Sequence, residues 1–431
     1  MKQDFHINHA KDHVGQTVTV QGWMYNKRGS GKIAFLQIRD GSGTMQGVVE
    51  ASNVSPEVME RAEQLTIESS LRVTGEITQH PKKDDVFEMQ VSDIEIIQIA
   101  DEYPIGKKEH GPEFLLDNRH LWLRSQKQLA VQRVRDEIIR ATFEWMHDNG
   151  FMKVDTPILT NNACEGSTEL FEMEYFDEGM AYLAQSGQLY LEAAVMSCGR
   201  GFDFGPVFRS EKSKTRRHLT EFWMMDAEAT FVDLEGLMEI EEALILHILK
   251  RVLENREKDL IILERDLEPL RKIKGPFIRK THAEVVEELQ GMGSSITPDK
   301  DLGGEDETIL TEKYDQPIFV THYPAEVKPF YMQRTEDAKH CLCVDLLAPE
   351  GYGEIIGGSQ REDDLELMKK WMAEHNISEK GLEWYMDLRR YGSVPHSGFG
   401  YGLERITGWL CGLKHVRETI PFPRLMNRLA P

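Results

Sequence analysis

Apolar and polar positions alternate near the start of the chain. In "TVTVQGW" (17–23), Val18 and Val20 fall on one face and Thr17, Thr19 and Gln21 on the other, the period of a half-buried strand. "KIAFLQIRD" repeats the pattern after a Gly29-Ser30-Gly31 turn, and "DGSG" at 40–43 turns the chain into "TMQGVVE". "SPEVMERAEQL" switches to helical spacing, with Ser55 at the cap and Pro56 in the first turn. "SSLRVTGEI" and "FEMQVSDIEIIQIA" return to strands. Five strands with a helix after the third predict a small Greek-key barrel of the OB type over residues 1–103. Trp23 is expected in its core.

The period is lost over 104–124, where Pro104, Gly106, Gly111 and Pro112 predict a linker. "KQLAVQRVRDEIIRATFEWMHDNG" then carries Val131, Val134, Ile138 and Trp145 close to one stripe, a long amphipathic helix stopped at Gly150. "FMKVDTPILT" is a strand broken by Pro157, which suits an edge or an interface. Further strands are predicted at "AYLAQS", "FDFGPVFRSE", "TEFWMMDAEAT", "PIFVTHY", "CLCVDLLAP", "YGEIIGGSQR" and "HSGFGYGLE". Helices are predicted at "EGLMEIEEALILHILKRVLENR", "THAEVVEELQ", "DLELMKKWMAEHN", "LEWYMDLRRY" and "LERITGWLCGL". Strands outnumber βαβ alternations, so residues 125–431 are expected to form an α+β domain on an antiparallel sheet. A helical insertion at about 234–310 is expected to pack on that sheet.

Composition changes the picture little. The 431 residues exceed a single core. No apolar run approaches the roughly 18–20 residues of a membrane span, and the first residues lack the apolar core of a signal peptide. Five scattered cysteines give neither a zinc spacing nor a disulfide framework, so a reducing cytoplasm is expected and no membrane partner. Charge changes it more. Formal net charge is −22, which disfavours unspecific coating of nucleic acid. Yet "FRSEKSKTRRHLTEFW" packs five Lys/Arg, one His and one acid, Glu211, into residues 209–218. Residues 20–39 likewise hold Lys27, Arg28, Lys32 and Arg39 with no acid, interleaved with Trp23, Tyr25 and Phe35, the mixture that single-stranded nucleic acid needs.

Two strands flank the basic loop, offering Arg209 and Glu211 on one and Phe222 on the other: partners for a phosphate, a purine amine and a purine face. Arg405 follows the glycine-rich "GFGYGLERI", where a ligand can come close. "DLLAPEGYGE" supplies Asp345, Glu350 and Glu354, oxygen ligands suited to Mg²⁺ on phosphates. With no P-loop and no dinucleotide fingerprint, these point to an ATP site on an antiparallel sheet.

At this point the chain resembles the class II aminoacyl-tRNA synthetases, in the subclass of the aspartyl, asparaginyl and lysyl enzymes. "GFMKVDTPILT" is similar to the first family motif, "FRSEKSKTRRHLTEF" to the second and "GFGYGLERI" to the third, in order and correctly spaced; residues 14–100 are similar to the subclass's anticodon-binding domain. The resemblance implies that Arg209 holds the α-phosphate, that Glu211 contacts the adenylate or the acceptor end, and that Arg217 and His218 reach the γ-phosphate. It places adenine between Phe222 and Arg405, Mg²⁺ on Asp345 and Glu354, and the substrate ammonium at Glu165 and Gln188. Arg361 would bind the side-chain carbonyl or carboxylate. Phe35 would stack on an anticodon base and Gln46 would bond one, with Arg28 beside them. Lys212, Lys214 and Arg216 would meet the tRNA acceptor end, and Pro157 would lie at a homodimer interface.

Aspartyl enzymes carry "QSPQLYKQ", whose lysine neutralises the substrate carboxylate; here "QSGQLYLEA" has Leu191 instead. Losing one cation turns a closed pocket toward a neutral amide. Asp226 stands where asparaginyl enzymes often have Glu, and Glu228 could share its role of accepting from an amide. The expectation is ligation of L-asparagine to tRNA(Asn) with ATP and Mg²⁺. The alternatives are an aspartate–tRNA ligase, a tRNA-independent amide ligase related to asparagine synthetases, and a non-catalytic RNA-binding paralogue.

Overall fold

The computed structural model describes residues 5–106, 108–161, 169–212 and 215–431. The chain forms two compact units, 1–111 and 112–431.

In the first unit β1 (Thr17–Ser30), β2 (Ile33–Arg39), β3 (Thr44–Glu50), β4 (Ser70–Gln79) and β5 (Phe87–Gln98) close a barrel in the order β1-β2-β3-β5-β4, with α1 (Pro56–Gln64) after β3. β3 and β5 pair in parallel and the other pairs are antiparallel. Val20, Met24, Leu36, Ile38 and Val73 fill the interior. Trp23 does not: Met24 takes the inward position, so alternation turns Trp23 outward, 39% exposed, with the Arg39 guanidinium over its ring.

The division between units falls inside the segment 104–124. Residues beyond it form α2 (Pro112–Asp117) and α3 (Arg119–Trp122). Arg119 is buried and donates to the backbone oxygens of Pro421 and Ile420, so the second half of the expected linker belongs to the second unit.

That unit continues through α4 (Gln126–Asp148), β6 (Met152–Lys153), β7 (Leu159–Thr160), β8 (Glu172–Glu174), β9 (Met180–Leu183), α5 (Gln188–Cys198), β10 (Arg200–Phe208), β11 (Glu221–Thr230) and α6 (Leu234–Ile262). Then follow α7 (Glu268–Lys272), β12 (Ile278–Thr281), α8 (His282–Gly291), α9 (Gly304–Lys313), β13 (Ile318–Thr321), β14 (Cys343–Ala348) and β15 (Gly353–Gln360). The last elements are α10 (Leu365–Glu374), α11 (Glu383–Arg390), β16 (His396–Gly402) and α12 (Leu403–Cys411). Eight strands make one sheet in the order β12-β13-β14-β15-β16-β11-β10-β6. Its centre is antiparallel, as expected, but both edge pairs, β12–β13 and β10–β6, are parallel. The expected helical insertion is therefore part of the sheet: α6 places Leu237, Ile245 and Ile248 in the main core, and β12 forms an edge strand.

Period two decides which face holds the core. Met225, Ala227 and Ala229 of β11, Phe399 and Tyr401 of β16, and Val344 and Leu346 of β14 pack with α4, α6 and α12. The alternate positions face the other way: Asp226 and Glu228, Gly398 and Gly400, and Asp345. The polar face of the sheet is the floor of the site.

Candidate active site

Acids on that floor lie opposite glycines. Asp226 is in register with Gly400, Glu228 with Gly398, and Asp345 with Gly357. A Cβ on Gly398 would collide with the Glu228 carboxylate, and one on Gly400 would sit 2.6 Å from Asp226 Oδ1. One on Gly357 would sit 3.2 Å from Glu354 Oε1 and 3.5 Å from Asp345 Oδ1. The glycines of "GEIIGGSQ" and "HSGFGYG" thus let long acidic side chains lie flat across neighbouring strands.

One cleft of about 330 Å³ runs over this floor, lined by Gln188, Asp226, Lys328, Asp345, Glu354 and Arg361 among others. At one end Arg361, 3% exposed, donates from Nη2 to Glu228 Oε1 at 2.6 Å, from Nε to the same oxygen at 3.1 Å, and from Nη1 to Ser359 Oγ at 2.7 Å. Burial pushes Glu228 up to about 7 against the pull of Arg361. Asp226 accepts from Ser186 Oγ at 3.0 Å and from the Gly187 N–H at 2.9 Å, so one of its oxygens is already committed. Gln188 Nε2 donates to Glu192 Oε1 at 3.1 Å. Glu192 is fully buried and also accepts from Tyr385 Oη at 2.8 Å and Arg389 Nη2 at 2.7 Å. Burial disfavours its charge, but Arg389 and His396 prevail and hold it well below the carboxylate range. At the other end Lys328 Nζ donates to Asp345 Oδ2 at 3.0 Å and lies 3.8 Å from the centre of the Tyr323 ring. Burial pushes Asp345 up to about 6, with Lys328 pulling the other way.

A second cleft joins the first at Arg209, Met224, Glu354 and Gly400. It contains Phe222, with the Arg209 guanidinium 5.5 Å from its ring centre, and Arg405, whose Nη1 donates to Glu354 Oε2 at 2.8 Å. Burial opposes the charge of Glu354, but Arg405 and Lys328 keep it below the usual carboxylate range. Arg217 and His218 stand in the same cleft; burial, then Arg405 and Arg209, hold His218 below the usual imidazole value. β10 ends at Phe208, so Arg209 follows the strand, with its backbone N–H on Thr220.

Arg209 also lines a third cleft, of about 430 Å³, with Glu211, His415, Arg417, Asn427 and Arg428. Glu211 belongs here and not in the second cleft. Lys212 and Arg216 are exposed at the loop; Lys214 and Glu165 lie outside the described residues.

In the first unit Arg28 and Phe35 are directly opposed between β1 and β2. The Arg28 guanidinium is 5.2 Å from the Phe35 ring centre, and its Nη2 donates to Gln46 Oε1 at 3.0 Å. Phe35 is half-buried and outside the barrel core. Two of the four basic residues in that stretch are spent on the fold: Arg39 is paired with buried Glu68 at 2.8 Å, and Lys27 Nζ donates to Glu63 O at 2.6 Å.

Leu191 does not reach the cleft. It is fully buried, with Cδ1 3.3 Å from where a Cβ on Gly201 would lie, while Gln188 and Glu192, four apart on α5, share the polar side. Pro157 is exposed between β6 and β7, beside exposed Met152, Ile158 and Leu159. Glu192, Lys328 and Glu307 were missed from sequence. Glu192 alone left a signal, as the one acid in the apolar run "LYLEAAVM". Among the described residues no three Asp, Glu, His or Cys side chains converge as a metal-holding group, and no helix is long and apolar enough to cross a membrane.

The family model of tRNA synthetases class II (D, K and N) matches residues 111–426, and that of the OB-fold nucleic acid binding domain matches residues 18–97. Among solved structures, the chain is similar to asparaginyl-tRNA synthetase from Pyrococcus horikoshii complexed with asparaginyl-adenylate: 42% identity, 100% of both chains covered and TM-score 0.96. Asparaginyl-tRNA synthetase from Entamoeba histolytica, also with asparaginyl-adenylate, is 31% identical over 97% of each chain, with TM-score 0.88. The aspartyl-tRNA synthetase of Entamoeba histolytica is 28% identical over 100% of this chain and 93% of that one, with TM-score 0.84.

Proposed function

The chain belongs to the class II tRNA synthetases of the D, K and N group, and we propose that it activates L-asparagine with ATP and transfers it to the 3′ end of tRNA(Asn). It is a ligase that forms an aminoacyl-adenylate and so consumes ATP. The asparagine carboxylate attacks the α-phosphorus, and pyrophosphate leaves. A hydroxyl of the terminal ribose then attacks the adenylate carbonyl, and AMP leaves. No protein nucleophile takes part; positioning and charge carry the rate.

Arg209, standing where three clefts meet, holds the α-phosphate through both steps. Adenine lies between Phe222 and Arg405, and Arg217 and His218 face the β- and γ-phosphates. Asp345 and Glu354, whose carboxylates lie together over Gly357, would hold a Mg²⁺, which would supply neutralisation of phosphate charge. Gln188, with Glu165, receives the ammonium. The third cleft, with Glu211 and Arg417, admits the acceptor end, and Arg28, Phe35 and Gln46 meet the anticodon. A homodimer through the exposed apolar positions around Pro157 completes the reading, in a reducing cytoplasm that suits the free thiols of Cys198, Cys341, Cys343 and Cys411.

The Arg361–Glu228 pair carries the choice of amino acid. It offers a donor and an acceptor with no net charge. An amide satisfies both: its oxygen accepts from Arg361 and its NH₂ donates to Glu228. A carboxylate would meet Glu228 and Asp226 where, among the described residues lining the cleft, Arg361 and Lys328 are already paired with acids and Arg209 serves the α-phosphate, at a cost of several kcal/mol. Leu191 supports this only indirectly, by keeping a further cation out. ATP–pyrophosphate exchange with each amino acid tests the assignment. Asparagine should exceed aspartate in kcat/KM by at least about 100-fold; parity would reject it.

A further inference from the structure

α9 lies outside all three motif segments, yet its first turns reach the active cleft. Glu307 is 9% exposed and lines the amino-acid cleft. One of its oxygens, Oε2, accepts from Arg217 Nη1 at 2.7 Å and from the Glu354 backbone N–H at 2.9 Å. Next to it, Thr308 Oγ1 accepts from Arg217 Nη2 at 2.7 Å, and the same Nη2 donates to the Gly351 carbonyl at 2.9 Å. The β14–β15 turn is shaped for this contact. Gly353 has φ +74°, and a Cβ there would collide with the Glu307 carboxylate. One carboxylate thus ties together the basic loop, α9 and the strand that carries Glu354.

We propose that Glu307 is a positioning residue that fixes the Arg217 guanidinium at the triphosphate end of the nucleotide cleft and so sets the affinity for ATP. This rests on the reading of Arg217 as a triphosphate ligand. Arginine has many rotamers to lose when it grips a phosphate; anchoring it beforehand removes that loss from binding. Arg217 can keep part of this anchorage while it turns a free N–H to the phosphate, because three acceptors share its two terminal nitrogens.

Exchange kinetics on the full-length enzyme test the proposal. Glu307→Ala should raise KM for ATP about tenfold, within the range for contacting neighbours, and leave KM for asparagine within about twofold. Arg217→Ala should raise KM for ATP at least as much, and the double variant no further. Glu307→Gln keeps an oxygen for both N–H groups and should stay within about threefold of the parent. Thr308→Val, which removes a second tie without touching Glu354, should give a smaller rise in the same parameter and serves if Glu307→Ala fails to fold. Additive effects of Glu307→Ala and Arg217→Ala overturn the proposal, as does an unchanged KM for ATP in Glu307→Ala where Arg217→Ala is impaired. An unchanged KM in Arg217→Ala overturns it differently, by removing its premise while the asparagine assignment stands.

Discussion

On the proposed function, the amino-acid end and the nucleotide end of the cleft use the same residue types in opposite ways. At the amino-acid end the charges are paired and dry: Arg361 and Glu228 are 4% and 1% exposed at their side chains, and Arg389 and Glu192 are 0% and 0%. At the nucleotide end Arg405 and Glu354 are 25% and 35% exposed, and Arg209 stands open to three clefts. A dry pair is finished before the ligand arrives. It selects by what a wrong ligand would leave unbalanced. A wet pair can be exchanged for phosphate oxygens at little cost, which suits a substrate bound as a polyanion and released as pyrophosphate. On this reading the Arg361–Glu228 pair builds specificity into the fold, whereas the Arg405–Glu354 pair is completed by the ligand.

Removing an arginine from each end should break this comparison if it is wrong. Arg361→Ala strands Glu228 among buried groups, so the fold should lose about 3–5 kcal/mol, read by denaturant unfolding, together with activation of asparagine. Arg405→Ala leaves a partly hydrated Glu354. Stability should change by less than about 1 kcal/mol, while the exchange rate falls on the order of 10²–10³-fold through lost charge stabilisation. Equal unfolding losses in the two variants would mean that the nucleotide end is as preformed as the amino-acid end.

The two ends also differed in how far the sequence revealed them. The nucleotide end was readable because its residues cluster locally: Arg209, Arg217, His218 and Phe222 fall within one hairpin, and Arg405 follows one glycine-rich strand. The sheet face was readable in part, since β11 and β16 alternate cleanly and place Asp226 opposite Gly400 without help from distant residues. The amino-acid end was not. The Glu192–Arg389 pair spans 197 residues, and no local spacing encodes such a partner; at the nucleotide end the same holds for Glu307, 90 residues from Arg217. α5 was missed because its apolar run has hardly any polar face to set a period, and with it the orientation of Leu191. In the barrel, the cations at 20–39 read as one surface, but Arg39 pairs with buried Glu68 and Lys27 bonds Glu63, so Arg28 beside Phe35 and Gln46, with exposed Lys32, is the part left to meet a ligand.

A smaller effect sharpens the comparison from inside the dry end. Burial, with repulsion from Glu192, pushes Glu228 up to about 7 despite Arg361. The ordinary carboxylate value is near 4.5. A raised acid favours its neutral form in the fold, so its contribution to stability is present below about pH 4.5 and is lost as pH rises through 7. Selectivity runs the other way. Above 7 Glu228 is charged and balances Arg361, and aspartate is excluded. As pH falls from 8 to 6, Glu228 takes up a proton, can no longer accept from the amide, and leaves Arg361 uncompensated. Glu192 stays charged throughout, held down by Arg389 and His396. The ratio of asparagine to aspartate kcat/KM in exchange should therefore drop roughly tenfold over that interval, as one titrating group allows. In Glu228→Gln the ratio should be low and flat. A wild-type ratio that stays constant from pH 8 to 6 would show that Glu228 remains ionised, and that the pair holds its neutrality more firmly than its burial implies.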